Sequence, residues 1–432
     1  MKIVVFEDTR VDDFYPITLT RPVWDLRTGA YTMGERIGKW VDSYLAARKS
    51  CSMYLYSRDM VAEVFSERYS EYNINSNLQL PDKAKDIVFI NARCIPFIDK
   101  YSLEKNVLYA SGDIPLLLHL DNENFPEKLT INSNSDILDF IDSLHVKKEE
   151  RVPFRWIKNL WELVDGNAGI IIDDIRAYPP DFERQPSEHI TVIGDSSCLY
   201  IEQGVEVDPF VVCDCSRGPI LIQKGAKIAS FTRIEGPCSI GENTLVTGAK
   251  IREGCSFGPQ CRIGGEIEES VLQGYVNKYH DGFIGHSFIG EWVNLGALTS
   301  NSDLKNNYTP VKVTMGEGRV NTGLLKVGAF IGDFTMTSIG TLINTGSVMG
   351  PGSMIIHGGS LTPDFVPPFT WYNNNALAET PRFDKFIESC RMMTSRRGVQ
   401  FSRNYENMLT GIYDSSTRVR GKAIEKWNNR LK

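Results

Sequence analysis

Basic residues are in short supply in this chain: 47 lysines and arginines stand against 54 aspartates and glutamates, a formal charge of −7. That deficit argues against a dedicated nucleic-acid or anionic-membrane binder, while leaving room for a local basic pocket that takes phosphates. Long hydrophobic runs are missing too. No apolar stretch approaches the roughly 20 residues that span a bilayer. The start, Met1-Lys-Ile-Val-Val-Phe-Glu-Asp8, meets acidic residues after four apolar ones, which is too early for a signal peptide. The nine cysteines form no CxxC pair and their number is odd, so neither a metal-ligand set nor a disulfide framework is expected. These absences together predict a cytoplasmic protein with reduced thiols, without nucleic-acid or membrane partners.

What the chain does have is a count of six. Ile222, Ile228, Ile234, Ile240 and Val246 stand six apart, the count resumes at Ile251, Phe257 and Ile263, and it returns at Ile331, Thr337, Ile343, Met349 and Ile355. Four places after most of them only small side chains occur, among them Ala226, Thr232, Cys238, Thr244, Cys255 and Cys261. A period of six fits neither a helix nor a simple hairpin meander. It suits a coil of short parallel strands, each hexad forming one side of a prism with its aliphatic residue on the axis. A parallel β-helix is predicted over 191–370. Between Thr299 and Lys326 the hexads stop and the text turns polar, which predicts an inserted loop at 300–325, the kind of place where function sits on a rigid scaffold.

Residues 1–177 alternate strand and helix patterns, which suggests an α/β domain with a mostly parallel sheet. Strand candidates are Ile3–Phe6, Ser52–Leu55, Ile87–Ile90 and Val107–Tyr109; helical spacing marks Thr32–Tyr44, Met60–Tyr69 and Ile137–Leu144. A Pro-rich linker is expected at 178–190 and a helical tail at 377–432, where Phe383, Phe386, Ile387, Cys390 and Met393 form a docking stripe.

Ahead of the polar loop runs Asn277-Lys-Tyr-His280-Asp-Gly-Phe-Ile-Gly285-His286, then Ile289-Gly290 and Asn294-Leu-Gly296-Ala297-Leu-Thr299. This text resembles the acetyltransferase half of the bifunctional UDP-N-acetylglucosamine pyrophosphorylase / glucosamine-1-phosphate N-acetyltransferase family. The resemblance implies a left-handed coil, a homotrimer with sites shared between subunits, and acetyl-CoA as donor. It makes His280 the base for the attacking amine, a task suited to an imidazole with an ordinary pKa of about 6.5. It places Asn294 against the sugar, Gly296 and Ala297 beside the thioester, and Asn301, Asp303 and Lys305 over the sugar phosphate. Two positions depart from the family: its Tyr three residues after the His is Phe283 here, and its Lys twelve residues before is Glu268. His286, where the family usually has Asp, is expected to play a structural or supporting part.

The N-terminal text Phe6-Glu-Asp-Thr-Arg10, with Pro16-Ile-Thr18-Leu-Thr20-Arg21-Pro22 and Asp25-Leu-Arg27-Thr-Gly29, resembles a divergent branch of the same family, in place of the usual Gly-rich loop. Ile90-Asn91-Ala-Arg93 and Trp161-Glu-Leu-Val-Asp165-Gly-Asn167 fit that branch too. The resemblance implies a Rossmann-like sugar-1-phosphate nucleotidyltransferase domain that uses Mg²⁺, a nucleoside triphosphate and a sugar-1-phosphate. Its candidate binding residues are Arg10, Thr18, Arg21, Arg27, Gly29, Asn91 and Arg93. Guanidinium groups bind phosphates bidentately, and they could equally pair with Asp12, Asp13 or Asp25. The family's metal-binding Asp is missing from Ala92-Arg93-Cys94-Ile95-Pro96, so the ion's ligands stay open between Asp8, Asp165 and a substitute charge on Arg93. Two alternatives to a bifunctional enzyme remain: a nucleotidyltransferase whose coil only oligomerises, and a non-catalytic sugar-nucleotide-binding protein.

Overall fold

The computed structural model describes residues 2–45, 52–80, 86–96, 104–121, 129–180, 189–316, 318–356 and 358–431. Most of the expected linker, residues 181–188, lies outside them. The chain forms two compact units. One comprises residues 1–11, 21–26 and 31–158; the other comprises 12–20, 27–30 and 159–432.

The first unit is built on Lys2–Phe6, whose Ile3, Val4, Val5 and Phe6 are fully buried. A continuous apolar run of this kind belongs to a strand covered on both faces. It lies between Ser52–Leu55 and Ile87–Asn91, both parallel to it, in a seven-stranded sheet. Four of the six pairings in that sheet are parallel. The two antiparallel ones belong to Ile114–Leu120, which the sequence pattern did not mark. Gly112, at φ 60°, lets the chain double back from Val107–Ser111 into it. Helices α1 (Met33–Leu45), α2 (Asp59–Arg68) and α3 (Asn134–Ser143) belong to this unit. A reciprocal cap between Ser133 and Asp136 starts α3.

The second unit is the coil. Three walls of stacked parallel strands run along it, the arrangement typical of a left-handed β-helix, and each wall takes every third hexad. In one wall Ile222 pairs with Ile240, Ile240 with Phe257, Phe257 with Leu272, Leu272 with Ile289, Ile289 with Ile331 and Ile331 with Met349. These axial residues form one buried core, and the small residues of the hexads are buried with them. Burial pushes the thiols of Cys255 and Cys261 up to about 12, which leaves them as packing groups at neutral pH.

The coil takes in residues expected to lie outside it at two places, 300–301 in the loop and 371–373 at its end. Ser300–Asn301 pairs with Leu342–Ile343 as part of a wall, so the loop begins after it and carries an antiparallel hairpin, Lys312–Met315 with Gly318–Asn321. Phe365–Val366 and Thr370–Asn373 also continue the walls, and Ala376–Glu379 then folds back antiparallel on the last strand. Helices α4 (Leu160–Asp165) and α5 (Asn167–Ala177) cluster with the coil, although their sequence reads as part of the α/β half. The tail forms α6 (Phe383–Ser395), α7 (Arg403–Ser415) and α8 (Thr417–Asn428). No described helix is long and apolar enough to cross a membrane.

Candidate functional site

In the first unit, the ends of Lys2–Phe6 and Ile87–Asn91 place Asp8, Asn91 and Arg93 together. Arg93 is 1% exposed and grips Asp8 with two nitrogens, Nε at 2.6 Å and Nη2 at 3.1 Å. Asn91 Nδ2 donates to the same carboxylate at 2.8 Å, and the Arg10 backbone N–H does so at 2.7 Å. Four donors fill the lone pairs of this carboxylate, so Asp8 does not fit Mg²⁺. Arg21, also 1% exposed, forms an ion pair at 2.5 Å with Asp25, which accepts a further bond from the Tyr69 hydroxyl. Glu7 is buried as well, accepting from the Val23 N–H at 2.8 Å and from Arg58 Nε at 3.1 Å. Arg10 alone of the unit's candidate arginines is exposed.

Thr18, Arg27 and Gly29 belong to the coil unit, and all three are buried. The Arg27 N–H bonds Gln273 Oε1 at 3.0 Å, and its Nη1 bonds the Ala30 carbonyl at 3.2 Å. Asn167, at the start of α5 and fully buried, organises this segment. Its Oδ1 accepts from Gly29 N–H at 2.6 Å, while its Nδ2 donates to the Gly254 carbonyl and to Ser256 Oγ. Ser256 Oγ in turn donates to the Gly29 carbonyl at 2.7 Å. The Arg27-Thr-Gly29 and Asp165-Gly-Asn167 texts thus form a clasp on the coil. The sequence showed both pieces but not that they meet.

On the coil, His280 stands exposed at the turn between Asn277–Lys278 and Phe283–Gly285. The turn above it in the stack is Leu295–Thr299, tied on by the Leu298 N–H to the Asp281 carbonyl at 2.8 Å. His280 and Gly296–Ala297 therefore occupy the same corner on successive coils. Gly296 is required there, since a Cβ would come 2.5 Å from the Ser338 backbone. Asn277 donates to Asn294 Oδ1. Below His280 a lysine takes the axial place of an aliphatic residue: Lys278 is buried and donates to the carbonyls of Gly264 and His280. Burial lowers its pKa to about 8.

Asn301 is buried and clamps the Gly285 backbone, accepting from its N–H at 2.8 Å and donating to its carbonyl at 3.0 Å. Lys305 Nζ donates to the Pro310 carbonyl within the loop. Asp303 turns to His286, whose Nδ1 lies 2.8 Å from Asp303 Oδ2 and whose Nε2 lies 3.2 Å from Glu269 Oε2. Burial opposes charging of this imidazole, but the two carboxylates prevail and raise its pKa to about 9. Glu268 completes the cluster and is bridged by Arg252 and Lys326. Among the described residues, Glu268, Glu269 and His286 are the grouping of three whose atoms could hold a metal ion.

Residues 3–179 match the family described as sugar nucleotidyl transferase. The bifunctional protein GlmU of Thermotoga maritima is 28% identical over 320 residues, which span 69% of this chain and 63% of that protein. A bifunctional sugar-1-phosphate nucleotidylyltransferase/acetyltransferase of Sulfurisphaera tokodaii is 32% identical over 159 residues, 34% of this chain and 38% of its own. The crystal structure of a UDP-N-acetylglucosamine acyltransferase covers 49% of this chain and 80% of its own at 17% identity, with a TM-score of 0.20 that adds nothing to the stacked walls described above. This chain joins a segment that matches the sugar nucleotidyl transferase family to a hexapeptide β-helix, and has bifunctional GlmU proteins as distant relatives.

Proposed function

We propose that the coil transfers an acetyl group from acetyl-CoA to the amine of an amino-sugar phosphate, and that the first domain joins a nucleoside triphosphate to a sugar-1-phosphate with release of pyrophosphate. The stacking of the His280 turn beneath the Gly296–Ala297 turn carries the acetyl-transfer half. An exposed imidazole there can take the proton of an attacking amine as its nitrogen bonds to the thioester carbon. The carbon–sulfur bond then breaks, and coenzyme A leaves as the thiol. Asn294, one coil above Asn277, has its amide nitrogen available to a sugar hydroxyl.

We also propose a homotrimer. Phe210, Phe231, Leu298 and Ile339 are exposed by 61–77% at the turns that follow strands of one wall, and His280 follows a strand of that wall too. Apolar side chains exposed toward both ends of this edge favour burial against a second copy, which would put His280, between them, between subunits.

One observation favours a second account of the first domain, as a sugar-nucleotide-binding module without catalysis. Asp8 is saturated, and Arg21 and Arg93 are both committed to buried ion pairs, so the groups nearest the strand ends are spent on one another. Mass spectrometry of nucleoside triphosphates and sugar-1-phosphates incubated with the protein and Mg²⁺, with and without acetyl-CoA, tests both. Pyrophosphate release removes the binding-only account. For the coil, His280→Ala is expected to slow acetyl transfer by about 10²–10⁴-fold and spare nucleotidyl transfer; an unchanged rate refutes the role of His280.

A further inference from the structure

A cavity of about 550 Å³ lies between α6 and the coil. That is within the range of small-molecule sites. Its coil side is aromatic. The rings of Tyr275 and Trp292 stack at 4.2 Å, and Phe334 continues the stack behind Trp292 at 6.1 Å. All three sit at turns with φ between 54° and 60°, a left-handed conformation that is unusual for bulky residues. Met336 and Asn294 complete this wall.

The α6 side is different in character. Met392 and Met393 face the cavity from the last turns of the helix, and Arg396 and Arg397 stand at its end. No aspartate or glutamate is among the described residues that line the space. The neighbouring arginines of the tail are neutralised: Arg391 pairs with Glu406 and Arg382 with Asp384. The two that reach the cavity join no such pair.

A bland account exists, because cations are favoured at the C-terminal end of a helix. It covers Arg396 and Arg397 but not the third guanidinium nearby, Arg262, which comes from the coil. The pKa of Arg397 is lowered first by burial and then by the charge of Arg262, with Arg396 adding to it. Like charges gathered beside an acid-free cavity call for an anion.

We propose that this cavity binds a phosphate-bearing small molecule, its phosphate held by Arg396 and Arg397 and its uncharged body resting on Tyr275, Trp292 and the methionines. Guanidinium groups suit phosphate through paired, charge-assisted bonds, and methionines adapt to varied apolar shapes. The cavity meets the acetyl-transfer residues at Asn294, and to that extent rests on the function proposed above. Its charge and shape stand independently. Coenzyme A, a nucleoside triphosphate and an amino-sugar phosphate share the required chemistry.

Calorimetric titration of the whole protein with coenzyme A, uridine triphosphate and glucosamine 1-phosphate, each alone, separates these sources. The double variant Arg396→Ala/Arg397→Ala is expected to bind at least one of them tenfold or more weakly, and that probe identifies the source. Thermal melting of the variant guards against a folding defect. An acetyl-transfer rate unchanged in His280→Ala overturns the catalytic role alone and leaves this site standing, so the two readings fail separately. Binding of none of the three, or equal binding by the parent and a correctly folded double variant, overturns the site.

Discussion

Arg21 shows how one residue type can be read two ways until its surroundings are known. Its guanidinium pairs with Asp25 out of reach of water, and both side chains are nearly inaccessible. Removing one partner of such a pair leaves a buried charge, so Arg21→Ala is expected to cost about 3–5 kcal/mol of stability, measured by chemical denaturation. Weaker nucleotide binding with unchanged stability would instead restore the phosphate-binding role. His286 supplies a second test. Its folded-state pKa of about 9 exceeds the ordinary value, so its stabilisation is present in full below about pH 6.5 and fades as pH climbs through 9. Lys278 acts in the opposite sense, since its depressed pKa of about 8 makes stability rise with pH between there and its ordinary range. The difference in melting temperature between the parent and His286→Gln cancels that contribution. It is expected to shrink from pH 6 to pH 9.5; a constant difference would refute the charged imidazole.

At the scale of the element, the hexad is legible because burial repeats with it. Ile240 lies between Ile222 and Phe257 in its wall and is fully buried. Ile240→Ala is expected to cost about 2–5 kcal/mol, the range for emptying an aliphatic core position, again by denaturation. Gly264 is a stricter case, because a Cβ would meet the Tyr279 carbonyl at 1.9 Å, one residue before His280. Gly264→Ala is therefore expected to displace the His280 turn and reduce acetyl transfer more than nucleotidyl transfer; parallel assays of both reactions check this. Sequence pattern missed Ile114–Leu120, whose partners are fixed by the turn at Gly112. It closed the coil at 370, whereas Thr370–Asn373 still pairs with Met354–Ile356; Pro363, Pro367 and Pro368 flank Phe365–Val366 without interrupting it, so the walls continue past them.

For the whole molecule, the exposed stripe Phe210, Phe231, Leu298 and Ile339 predicts association. Light scattering at micromolar concentration is expected to return three times the chain mass, and Phe231→Ser combined with Ile339→Ser to lower it. A monomeric parent would exclude a site shared between subunits.

The sequence alone determined the coil, its axial residues and the corner that bears His280, because a six-residue period with a small residue at a fixed offset has few physical solutions. It also displayed every candidate residue near the first strand. Tertiary structure decided what those residues do to one another. Whether an arginine meets a carboxylate or a ligand depends on partners far away in the chain, as Arg93 depends on Asp8 and Gly29 on Asn167. The cavity beneath α6 was invisible for the same reason: its aromatics and its arginines are about a hundred residues apart, and only folding brings them to one space.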